Sequence, residues 1–161
     1  MSHSFKNLFA FILFAISMAM PAFAQTSWQS NCQYVNAASR EALDKEGRAV
    51  GTAEYSCRTV GGPLDNSVLS GINVVEWNGT SGVAVAGYGA ARKPTGMAVF
   101  TITEMKVSVV MKDGKPAGLT SSGKAKFTLT SGDGSALSGK SFSFSTKVTG
   151  PAQFVIDSTL D

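Results

Sequence analysis

MAVFTITEMKVSVVMKDGKPAGLTSSGKAKFTLT, residues 97–130, reads as one long β-hairpin, and that reading decides the fold class. Asp113-Gly114 marks the turn, because a two-residue type I′ connection needs positive φ at both central positions, which Asp and Gly tolerate best. With Lys112 facing Lys115, Phe100 falls opposite Phe127, Ile102 opposite Ala125 and Ala98 opposite Leu129. All six share one face, as a half-buried antiparallel pair requires. Pro116 then meets Met111 at a non-hydrogen-bonded position, where its missing N–H breaks no rung. Nearer the turn the pattern inverts, and Met105, Val107, Val109 and Met111 share the opposite face. A β-bulge or sharp coil near Thr103-Glu104 returns them to the core. Without one, the tip is an arm whose Met-rich apolar face, Met105 and Met111 included, is an interaction surface for a ligand or protein partner.

Upstream, Asn78-Gly79 is a second type I′ signal. Setting Trp77 opposite Thr80 pairs Val74 with Val83 and Ile72 with Val85 on one face, and Leu69 and Tyr88 on the other. The next run, Ala86 to Pro94, is unusually rich in small residues. Gly87 and Gly89 permit strand coiling, or the close approach of a ligand. Gly87-x-Gly89 lacks the third glycine and the helix of a dinucleotide loop. Tyr88 and Arg92 are placed to line a cavity mouth, Arg92 holding an anionic group and Tyr88 stacking beside it. With Glu104 they form the candidate ligand-binding set.

Downstream, Gly134 to Ser141 matches the phosphate-loop string G-x-x-x-x-G-K-S. Such a loop works only where a helix follows and aims its N–H groups at phosphates. Here Lys140 opens Ser141-Phe-Ser-Phe-Ser-Thr146, whose strict alternation is strand periodicity, so nucleotide binding is not expected. Thr149-Gly150-Pro151 is a turn before a last strand with Phe154, Ile156 and Leu160. About eight strands at the spacing of barrels and sandwiches make the chain all-β. The expectation is an antiparallel meander closing as a small barrel, with a β-sandwich as the alternative.

Residues 1–24 carry the marks of a signal peptide: Lys6, the apolar run LFAFILFAISMAM, and Ala22-Phe23-Ala24 before Gln25. Residues 25–161 then form a single barrel-like domain in the periplasm or outside the cell, with no later segment apolar enough to span a membrane. Cleavage removes Lys6 and leaves a formal charge of about +2, too even a balance for nucleic-acid binding. It also removes His3, the only histidine. The mature chain therefore has no Ser-His-Asp or Cys-His mechanism and no His-ligated metal site, and no cofactor is implied. Cys32 and Cys57 are expected to pair, since Trp28, Cys32 and Tyr34 share one parity and Ala53, Tyr55 and Cys57 another. Between them, ASREALDKEG reads as a short helix stopped by Gly47, or equally as a strand ending in a Lys45-Glu46-Gly47 turn.

Three functions fit these features. The first is a non-catalytic barrel that holds an apolar or amphipathic small molecule. The second is an envelope or extracellular interaction module, an inhibitor or assembly factor, that uses the hairpin tip. The third is a histidine-independent enzyme drawing on Tyr88, Arg92 and Glu104, with Glu54 and Glu76 as further strand acids.

Overall fold

A computed structural model describes residues 26–161, of which 37–40 by their backbone alone. The expected leader lies outside the described residues. Eight strands follow one another: β1 (Ser27–Ala42), β2 (Arg48–Val60), β3 (Val68–Asn78), β4 (Ser81–Lys93), β5 (Gly96–Lys112), β6 (Lys115–Gly132), β7 (Ser141–Gly150) and β8 (Gln153–Leu160). Each pairs antiparallel with the next, and β8 pairs with β1, so the meander closes as a barrel and not as a sandwich. Closure gives every strand a neighbour on both sides. The described residues hold no α-helix, only two 3₁₀ turns, Gly62–Leu64 and Asp133–Leu137. The segment from Ala38 to Gly47 takes the strand alternative, with β1 running to Ala42 before a turn tied by Asp44.

The odd-numbered connections are short hairpin turns at one end. At the other, the 3₁₀ turns place Leu64 and Leu137 in the core and close the barrel. Asp133 fastens this end. It accepts a 2.6 Å hydrogen bond from the Thr95 hydroxyl and lies 3.5 Å from Lys93 Nζ. That hydroxyl, followed by the nearby lysine charge, holds the Asp133 carboxyl below its usual range. No helix follows Lys140; Ser141 opens β7, as the alternation predicts.

The β5–β6 hairpin turns at Asp113 (φ 52°) and Gly114 (φ 74°), both in the left-handed region that a type I′ turn requires. Phe100 faces Phe127 and Ile102 faces Ala125. Ala98 faces Thr130 instead of Leu129, because a bulge between Val99 and Phe100 shifts the register. A second irregularity leaves Thr103 unpaired between Ile102–Ala125 and Glu104–Lys124. It reverses the parity of everything beyond it, so Met105 and Val107 are buried.

The β3–β4 turn departs from the sequence reading by one residue. Asn78 pairs with Ser81 and the turn is Gly79-Thr80, with positive φ at Gly79 and not at Asn78. That is the pattern of a type II′ connection, whose first central position favours Gly. Moving the turn by one residue shifts each pair by two, so Trp77, Val75 and Leu69 still share one face, and it is this face that is buried while Val83 and Val85 point outward. The extra residue Val85 moves Tyr88 to the outer face, where it pairs with Ile72, and Leu69 pairs with Ala91. Val85 is an extra residue on β4, opposite the Thr103 bulge on β5. Between Val83–Lys106 and Tyr88–Thr101 the pairing of these two strands is interrupted.

The core is aromatic. Phe142 lies with its ring centroid 4.9 Å from that of Phe127 and 5.2 Å from those of Trp28 and Phe100. Cys32 and Cys57 face each other across β1 and β2 and are joined by a disulfide. Two glycines make the rings fit: a side chain at Gly71 collides with Tyr55, and one at Gly89 collides with Phe100.

Candidate functional site

Inward positions of the strands do not fill the barrel completely. A cavity of about 70 Å³ remains, walled by Trp28, Tyr34, Tyr55, Val75, Trp77, Phe100, Ile102, Met105, Phe144, Phe154 and Ile156 among others. It exceeds what one water needs, and it is well short of the ~300–1,000 Å³ that a drug-sized ligand occupies. Among the described residues that line it there is no Lys, Arg, Asp, Glu or His. The polar groups are hydroxyls and one amide.

Their surroundings differ. Tyr55 sits on β2 opposite Tyr34 on β1, and both pack on Phe154. Burial, with a smaller contribution from neighbouring Tyr34, pushes the Tyr55 phenol up to about 12. Burial raises Tyr34 as well. Ser121 and Thr146 satisfy one another across β6 and β7: Thr146 Oγ1 accepts the Ser121 N–H at 2.7 Å and lies 3.0 Å from its hydroxyl. Asn73, on β3, faces Ala53 on β2 and Gly87 on β4, so small residues flank it on both sides. Its Nδ2 donates a long, weak bond to Met105 Sδ at 4.0 Å, and its buried Oδ1 meets no hydrogen-bond partner.

The residues singled out from sequence lie elsewhere. Tyr88 is 60 % exposed on the outer wall, because inward-facing Gly87 and Gly89 place it on the opposite parity. Arg92, also outward, donates to the Ser70 hydroxyl at 3.4 Å. Glu104 is exposed on β5. Arg92 pairs with Met97, so by strand rise it stands roughly 20 Å from Glu104 along the wall. The three do not converge, and none lines the cavity. Glu54 is exposed, and Glu76 lies 3.8 Å from Arg48. The Thr103 bulge also divides the expected Met-rich surface, leaving Met105 4 % exposed inside the barrel and Met111 51 % exposed near the turn. The described residues hold no cluster of acidic or cysteine side chains suited to a metal.

Sequence reasoning missed Asn73, Ser121 and Thr146. The signal for Asn73 was its shared parity with the large apolar Val75 and Trp77, the face that the structure buries. No protein-family model matches the chain, and no characterised protein or solved structure matches it significantly.

Proposed function

We propose that this protein is an exported, non-catalytic binding protein that takes a slender apolar or amphipathic molecule into the barrel. The observation that carries the reading is the cavity itself: a closed barrel whose interior is aromatic and aliphatic, uncharged, and incompletely filled. Burying apolar ligand surface there contributes about 25 cal/mol per Å², and charged ligands are disfavoured because the wall supplies no counter-ion. The outer wall supports a water-facing barrel, with Lys106, Lys124, Lys126 and Lys147 exposed where a lipid-facing barrel carries an apolar belt. Export is supported by the oxidised Cys32–Cys57 pair and by the leader-like residues 1–24.

Both tryptophans of the chain, Trp28 and Trp77, line the cavity, so intrinsic fluorescence reads its contents directly. Titration with neutral straight-chain, branched and aromatic small molecules is expected to change that emission and raise the melting temperature for at least one class. Ala53→Phe, which puts a ring into the cavity wall, abolishes the response while the unliganded fold is kept. A panel that moves neither emission nor melting temperature sinks the proposal.

A further inference from the structure

We infer that the ligand is a neutral alcohol with a slender apolar tail, its hydroxyl bound by Asn73; this rests on the binding reading above. Three observations converge on it. Asn73 is the only lining residue whose buried polar atom lacks a partner among the described residues, since the other such atom, Ser67 Oγ, lies outside the cavity wall. An unpartnered buried acceptor is destabilising, and a ligand donor that reaches it recovers that loss on binding. Asn73 as a whole is only partly buried and small residues flank it: Ala53 on β2, and Gly87 on β4, where a Cβ would come within 2.9 Å of Asn73 Oδ1. The wall beside the amide is apolar at Val75, Ile102 and Met105.

The chemistry narrows the head group further. A carboxylate has no cation to meet and an ammonium no anion, so an ionised head is excluded by desolvation. An ether or ester offers acceptors only, which cannot satisfy a carbonyl oxygen. A hydroxyl donates to Oδ1, and it also accepts from Nδ2, so it suits the amide in either orientation of its end. The small volume selects one chain and not a fused ring system.

The test compares 1-propanol, its isomer ethyl methyl ether, and propanoate against the full chain by tryptophan fluorescence, probes small enough for a cavity of about 70 Å³. The inference expects propanol to bind about tenfold tighter than the ether, the effect of one buried hydrogen bond, and propanoate to bind weakest at neutral pH. In Asn73→Leu, and in Asn73→Ala as a second variant of different volume, the alcohol-over-ether preference disappears while ether binding persists. Equal binding of propanol and ether to the native chain, tighter binding of propanoate, or a preference surviving in both variants overturns the inference and leaves the cavity reading standing. Failure of all three probes to bind overturns both.

Discussion

Tyr55 is held neutral by the residues around it, and the consequence is a pH limit. Its phenol ionises near 10 in an unfolded chain and near 12 in the barrel. The neutral form is thus favoured by folding. The contribution is complete below pH 10 and is lost as pH rises from 10 through 12, on the order of 2–3 kcal/mol in total. Urea titrations across that window should show stability falling steadily in the native protein and more shallowly in Tyr55→Phe. Gly89 makes a second residue-scale prediction. Adding a methyl group there pushes against the Phe100 ring, so Gly89→Ala is expected to destabilise by about 1–3 kcal/mol, with Gly89→Ala/Phe100→Leu recovering part of the loss. At this scale little of the site was legible. Asn73 is one polar residue in a strand of alternating character, and only its register decides whether it meets water or the cavity.

For the elements, turn chemistry and bulges carry the argument. The alternation around Phe100 and Phe127, together with Asp113-Gly114, fixed the β5–β6 register at its centre. The inverted parity of Met105 and Val107 announced a bulge where Thr103 sits. The β3–β4 register was harder, because Asn-Gly and Gly-Thr are both workable two-residue turns there and differ by one residue. Both leave Trp77 and Val75 on one face, so burial of that face does not separate them; the pairing of Asn78 with Ser81 does. Deletion of Thr103 tests the role of the bulge. It restores regular pairing, turns Met105 and Val107 outward, and exposes a cluster that also includes Val75 and Trp77. The expected result is a clear drop in melting temperature with increased binding of a hydrophobic dye, since losing buried side chains of this size costs about 2–5 kcal/mol each. A neutral effect would show that the cluster contributes nothing.

For the molecule as a whole, closure and the disulfide act together. Cys32 and Cys57 join β1 to β2, and β1 also bears the closing contact with β8. Cross-linking across 25 residues is worth about 3.5 kcal/mol on the chain-entropy account. Cys32→Ala/Cys57→Ala should therefore lower the unfolding midpoint in denaturant without opening the barrel, the far-ultraviolet dichroism staying strand-like. The barrel was legible because eight amphipathic segments and short turns leave few other arrangements for a chain of this length. The cavity was not, since it is assembled from single side chains contributed by many strands, and its volume is a remainder after packing.

The pairing gap between β4 and β5, which takes in Val85 and Thr103, gives the wall a seam. Amide protons at residues 84–87 and 102–105 should exchange with solvent sooner than those of the unbroken β2–β3 ladder. Gly87 and Met105 lie both in this seam and beside the amide of Asn73, so under the binding reading proposed above the seam is where a guest would enter. Stitching the two strands together there with a designed cross-link would slow guest uptake and release alike while leaving affinity nearly unchanged.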